Sequence, residues 1–154
     1  MNDTVFEWYA KYVPSGKQQL GKALLWSAAI VFLADAVLFY AFMLLPAVLA
    51  GAGAILFAGS LDYEYEYVYV NGDFTISKII RRAKRKDVFR AQRTEIEEMV
   101  PGRRAGEKGA DFTSGQNSGA VYSLRVRGAW IAIEADLGFV EEMRRQIQIR
   151  AVGT

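Results

Sequence analysis

Asp62-Tyr-Glu-Tyr-Glu-Tyr-Val-Tyr-Val70 alternates without a break and runs into Asn71-Gly72. Strict alternation is the period of a half-buried strand, and Asn-Gly between such strands signals a two-residue type I′ hairpin. Pairing Val70 with Asp73 fixes the register by counting: Tyr69 meets Phe74, Tyr67 meets Ile76, and Tyr63 meets Ile80. That Tyr/Phe/Ile face is the expected core. The other face carries Glu64, Glu66, Val68 and Val70 against Asp73, Thr75, Ser77 and Ile79. A slip of one residue would turn every core side chain to solvent, so the pattern pins the register. A tyrosine run also suits a base-stacking platform, but a buried face needs no such role.

Downstream, a third strand is expected within Ala83–Ala91 and a fourth within Glu95–Val100, ending at Pro101-Gly102. Residues 102–119 lack an apolar period and read as a mobile loop. A second hairpin follows, with Tyr122, Leu124 and Val126 on one face, Gly128 at the turn, and Ile131 and Ile133 beyond it. Asp136 can cap a last helix over Leu137–Ile149, whose apolar stripe is Phe139, Val140, Met143 and Ile147. Its Glu141 and Glu142 come early and its arginines late, which suits the helix dipole.

Upstream lies different material. Between Ala23 and Ser60 there are 38 residues and one charge, Asp35. One crossing of a bilayer needs about 20 helical residues, so this stretch is long enough for two. The expected spans are Gly21–Phe39 and Leu44–Ser60, turning near Tyr40, with Pro46 in the first turn of the second helix. A single long span and a cleaved leader are the alternatives. Lys11, Lys17 and Lys22 precede the spans, a run of basic residues follows them, and the turn between has none. By the positive-inside rule both termini are then on the cytoplasmic side of the inner (cytoplasmic) membrane. Residues 3–13 read as a short helix capped by Asn2 or Asp3, with Val5, Trp8, Tyr9 and Tyr12 forming an aromatic face for the interface. The expected organisation is residues 1–19 as amphipathic helix and linker, 20–61 as helical hairpin, and 62–154 as a cytoplasmic α+β domain.

The chain has no Cys and no His. Disulfides, thiolate nucleophiles, thiol–zinc sites and histidine acid–base chemistry are excluded together. Gly102-Arg-Arg-Ala-Gly-Glu-Lys-Gly lacks phosphate-loop spacing, and Ser114 and Ser118 have no base partner. Glu95, Glu97 and Glu98 are split by strand alternation, while Glu134 and Asp136 sit in no calcium-loop pattern. No enzyme, cofactor or metal is expected. Three features remain as candidates. Lys78, Arg81, Arg82, Lys84, Arg85, Lys86, Arg90 and Arg93 place eight basic residues in sixteen, opposed by Asp87. Within that run Arg81, Arg82, Lys84, Arg85 and Lys86 are the expected contacts to anionic headgroups, beside the plainer reading as a topology signal. Nucleic acid is not expected, because the net charge is only +2 and no nucleic-acid motif is present. Ala47, Gly51, Ala54 and Ala58 make a small-residue stripe for close helix approach, to the first span or to a second copy in a homo-oligomer. Asp35 is an intramembrane carboxylate with no ionisable partner in either span.

Five or six antiparallel strands followed by one amphipathic helix is the order of a small PH-like barrel closed by a C-terminal helix. The chain resembles the bacterial two-span membrane proteins of the family named domain of unknown function 6106. The resemblance is carried by Met1-Asn2-Asp3-Thr4 and the aromatic segment after it, the apolar hairpin, Glu64-Tyr65-Glu66-Tyr67 with Val70-Asn71-Gly72, and Ile79-Ile80 leading to Lys84-Arg85-Lys86. It implies the PH-like fold and lends no activity. The function expected is a non-enzymatic binding or scaffolding module for membrane lipids or a partner membrane protein. The alternative is an oligomerising component of a membrane assembly or transporter that uses the helical hairpin and Asp35.

Overall fold

The computed structural model describes residues 4–104, 109–116 and 120–152, with side chains of the last helix described as far as Ile147. In chain order the elements are β1 (Val5–Lys11), α1 (Gly16–Leu38), α2 (Leu44–Ser60), β2 (Tyr63–Val70), β3 (Asp73–Ile80), β4 (Lys84–Gln92), β5 (Ile96–Pro101), β6 (Ala110–Asp111), β7 (Val121–Val126), β8 (Ala129–Glu134) and α3 (Leu137–Val152). They divide into two compact units. The head joins the residues up to Tyr12 to everything from Tyr63 onward, and the helical pair occupies Val13–Asp62.

The head holds two four-stranded sheets, ordered β1-β2-β3-β4 and β5-β7-β8-β6. The β2–β3 register is the one counted from the sequence, with Val70 opposite Asp73, Tyr69 opposite Phe74, Tyr67 opposite Ile76 and Tyr63 opposite Ile80. Tyr67, Tyr69, Phe74 and Ile76 are buried as expected, Tyr65 between them is buried too, and the expected Tyr63 and Ile80 are only half-buried.

Residues 5–11 are a strand, not a helix. Each is paired with β2, from Val5 opposite Val70 to Lys11 opposite Glu64. The expected caps Asn2 and Asp3 lie outside the described residues. A period of two, Phe6/Trp8/Ala10 against Glu7/Tyr9/Lys11, outweighs the helical spacing of Val5, Trp8, Tyr9 and Tyr12, because β2 offers a ladder and a core to fill. Trp8 stacks on Tyr67 at 5.1 Å and packs on Phe139 at 5.0 Å. Its indole Nε1 donates to the Glu134 carbonyl at 2.6 Å. Phe6 packs where Gly138 opens α3: a Cβ there would lie 2.8 Å from the Phe6 ring, so any larger residue would have to displace that ring. The expected 1–19 segment is thus divided, with β1 part of the head.

The loop expected over 102–119 is partly built into the second sheet, in its described residues. Ala110–Asp111 pairs in parallel with β8, and Thr113 and Ser114 are buried. Polar side chains hold the segment. Asp111 Oδ1 accepts from the Thr113 amide and hydroxyl, the Ser114 amide and hydroxyl donate to Glu134, and Ser123 Oγ donates to the Gly102 carbonyl. Such local side-chain bonds are invisible to a search for apolar periods.

Both sheets contribute to one core, in which Tyr67, Phe74, Ile76, Leu124, Ile133 and Phe139 are fully buried. No backbone ladder joins the two sheets among the described residues, so the expected closed barrel is instead a pair of sheets. Among the described residues there are eight strands, against the five or six expected. Asp136 Oδ1 accepts from the Gly138 amide at 2.8 Å at the start of α3, as expected of a cap. From α3, Phe139, Val140 and Met143 are buried, with Phe139 stacked 5.2 Å from Phe74.

In the helical pair, α1 starts before the expected Gly21. Ser15 and Gln18 form a capping box, with the Ser15 amide donating to Gln18 Oε1 at 2.8 Å. A single 3-10 turn, Ala41–Met43, leads into α2, whose third residue is Pro46. Leu24, Ile30, Val37, Leu45, Leu49 and Leu56 are all more than half exposed. The two helices are long and apolar enough to cross a membrane.

Candidate functional site

The basic run folds into the β3–β4 hairpin. Ile80 pairs with Lys84, and Arg81 and Arg82 lie in the turn between, both left-handed at φ 51° and 55°. A type I′ turn requires positive φ at both central positions, which Asn71-Gly72 supplies easily and two arginines do not. Arg81 and Arg82 are exposed, as are Lys84 and Lys86. None of the four has an ion-pair partner among the described residues.

Alternation sends Arg85 to the opposite face from its two lysine neighbours. There its guanidinium lies 2.6 Å from Oε2 of Glu66, a residue only 4% exposed. The approach is off the hydrogen-bond direction, so the contact is Coulombic and Oε2 has no directed donor. The other oxygen is near the Tyr9 hydroxyl at 3.0 Å, which also contacts Glu7. Those two carboxylates hold the Tyr9 proton in place and raise its pKa. On the same face Ser77 Oγ donates to Asp87 at 2.7 Å.

The face bearing Lys84 and Lys86 is different. Lys78 stands directly opposite Lys86, and Tyr65 opposite Lys78. The Lys78 Nζ sits 3.6 Å from the centroid of the Tyr63 ring, a cation–π contact. Burial is the main reason the Tyr63 phenol's pKa is raised. Tyr63 in turn stacks on Tyr12 at 4.4 Å, and the Tyr12 amide donates to the Tyr63 carbonyl at 3.0 Å. Through these two tyrosines the chain leaves the first sheet and returns to it. The basic turn and the exit of the chain therefore share one end of the sheet.

The other sequence candidates fall elsewhere. Ala47 and Ala54 are buried within the helical pair, and a Cβ on Gly51 would lie 4.0 Å from that of Ala29; Ala58 is half-buried. Beside that stripe an apolar groove of about 270 Å³ is walled by Trp26, Ile30, Leu33 and Val48. Asp35 is half-buried, and its backbone carbonyl accepts from Phe39 and Tyr40. Its carboxylate has no ion-pair partner among the described residues. Glu95 chelates Arg127 at 2.7 and 2.8 Å, which lowers its pKa, and Glu97 pairs with Arg125 at 3.2 Å. Glu134 accepts from Ser114, while Ser118 and residues 105–108 of the glycine-rich run lie outside the described residues. No cluster of potential metal ligands exists among the described residues.

Two four-stranded sheets around one aromatic core, followed by a C-terminal helix, define a PH-like domain of the bacterial kind, here interrupted by a pair of apolar helices. The chain belongs to the bacterial PH-like domain family of unknown function 6106, whose profile matches residues 2–150. Comparison with curated proteins and with solved structures finds no match.

Proposed function

We propose that this is an integral membrane protein whose PH-like head is a non-enzymatic module that docks on the anionic cytoplasmic leaflet its own helices cross. One observation carries the reading: the unpaired cations of the β3–β4 turn lie at the end of the sheet where the chain departs for the apolar helices. Three residues, Val13–Ser15, connect Tyr12 to α1, and two, Leu61 and Asp62, connect α2 to β2. At no more than about 3.5 Å per residue, each of these tethers is shorter than about 15 Å even when fully extended. A membrane surface potential decays over about 8 Å at physiological salt, so tethered cations feel it. Each basic residue near such a surface contributes about 1 kcal/mol. The β1–β2 ladder supports the topology as well. Both strands belong to one sheet, so the segment between them crosses an even number of times, consistent with two spans. The uncharged turn and basic flanks favour the cytoplasmic side.

The test uses the full chain, free of native cysteine, in nanodiscs. A cysteine at Ala83, carrying a spin label, reports contact of the turn with the surface. In discs containing phosphatidylglycerol the label should be immobilised at low salt and released at high salt, with no such change in phosphatidylcholine discs. Substituting Arg81, Arg82, Lys84 and Lys86 by Gln should abolish the difference. Equal mobility in anionic and neutral discs at low salt would overturn the reading.

A further inference from the structure

The β3–β4 hairpin contains a bulge that works against simple charge pairing. From Asp73 opposite Gln92 to Ile76 opposite Phe89 the register is regular, but Ser77 then pairs with Asp87. Val88 is the extra residue. Had the regular register continued, Ser77 would face Val88 and Lys78 would face Asp87, an opposite-charge cross-strand pair. With the bulge, Asp87 moves to the far face to accept from Ser77, and Lys86 arrives opposite Lys78. Like charges directly opposite on a sheet are destabilising, and bulges characteristically re-aim side chains near functional sites. Lys84, two residues along β4, joins the same face. The Lys78 ammonium is held against Tyr63, so one of the three cations is already fixed in place. On that side burial is the main reason the Tyr65 pKa is raised, and Asp111 of the loop adds to it, but Asp111 is already paired with Arg103 at 3.3 Å. The turn that closes this end is the strained Arg81-Arg82 pair. Non-glycine residues in the left-handed region are sterically strained and concentrate at ligand sites.

Opposed lysines and left-handed arginines are two separate destabilising choices at one spot, and one ligand chemistry compensates both. The geometry points to an oxyanion site at this end of the first sheet, formed by Lys78, Lys84 and Lys86 with the Arg81–Arg82 turn, for a phosphomonoester group. Three ammonium groups on one face favour the compact dianion of a phosphomonoester over the single diffuse charge of a phosphodiester. The source is either a monoester lipid headgroup or a soluble phosphate. This inference rests on the surface reading of the same end of the sheet, but adds selectivity that surface charge alone does not supply.

The unfolding midpoint of the full chain in nanodiscs separates the cases. In phosphatidylcholine discs, inorganic phosphate at about ten times its Kd should raise the midpoint by about 5 °C over chloride of equal ionic strength. If the source is lipid, discs with phosphatidic acid should give that rise over phosphatidylglycerol discs matched in surface charge, with little response to free phosphate. Lys86→Glu restores an opposite-charge pair with Lys78. It should raise the midpoint in plain phosphatidylcholine discs and erase either response. Two results would overturn the site: no preference for phosphate over chloride together with none for phosphatidic acid over phosphatidylglycerol, or a response that survives in Lys86→Glu. In the first case salt-sensitive docking on phosphatidylglycerol can still stand, so failure of the site is distinguishable from failure of the surface reading.

Discussion

Trp8→Ala should unfold much of what holds the head together, although the residue lies before the two apolar helices and the rest of the head lies after them. A tryptophan side chain buries roughly 200 Å² when fully enclosed, and at least about two-thirds of Trp8 is buried. At about 25 cal/mol per Å², the lost burial is near 3 kcal/mol. Truncation also leaves a void between Tyr67, Phe74 and Phe139, and it removes the donor to the Glu134 carbonyl. Those losses bring the total to about 3–4 kcal/mol, within the range for large aromatic truncations. For a domain of this size, 1 kcal/mol shifts the midpoint by about 4–8 °C, so a fall of at least 12 °C is expected. Near-UV circular dichroism of the full chain in nanodiscs, followed on heating, measures it. Trp8→Phe keeps most of the ring stacking and loses the hydrogen bond, and should fall by less than half as much. An unchanged midpoint for Trp8→Ala would mean that β1 is not part of the head, and the even-crossing argument would fall with it.

Two other outcomes follow from the same core. Because Tyr12 and Tyr63 are hydrogen-bonded neighbours, replacing residues 13–62 by Asn-Gly should close β1 and β2 into an ordinary type I′ hairpin and give a soluble folded head; the fragment from Leu61 to Thr154, which lacks β1, should not fold, and amide dispersion in NMR spectra distinguishes the two. Burial, its leading cause, raises the Tyr67 phenol's pKa above the ordinary value near 10, and the hydroxyl donates to the Phe112 carbonyl at 2.6 Å. This contribution to stability is constant below pH 10. Above pH 10 it falls, because the unfolded chain ionises there while the folded one holds its proton. Tyr67→Phe in the soluble head should therefore be less stable at neutral pH by about 1 kcal/mol yet decline less steeply between pH 10 and 12, as read by urea midpoints. An unchanged alkaline slope would remove Tyr67 from that account.

What could be read directly were features with a period. The β2–β3 register, the apolar face of β7 and β8, the cap at Asp136 and the two apolar helices all follow from spacing along the chain. Turn chemistry was legible where Asn-Gly wrote it and missed where Arg81-Arg82 adopts the same geometry, since no propensity favours left-handed arginine. The segment around Trp8 had two periods in competition. Helical spacing of Val5, Trp8, Tyr9 and Tyr12 was visible; the strand won because its partner, β2, lies more than fifty residues away in sequence.

The candidate site divides along the same line. The sequence located the basic run, with Asp87 its single acidic member, because charge is local to the residue that bears it. Which cations share a face was settled by the bulge at Val88, a matter of how two strands align around a core. The buried Glu66 that holds Arg85, the ring under Lys78, and the common end occupied by the turn and the chain exit are likewise tertiary facts. Local sequence determines the hydrophobic pattern and the charge; the pairing of distant strands decides which of those charges meet, because a sheet's contacts run across the chain rather than along it.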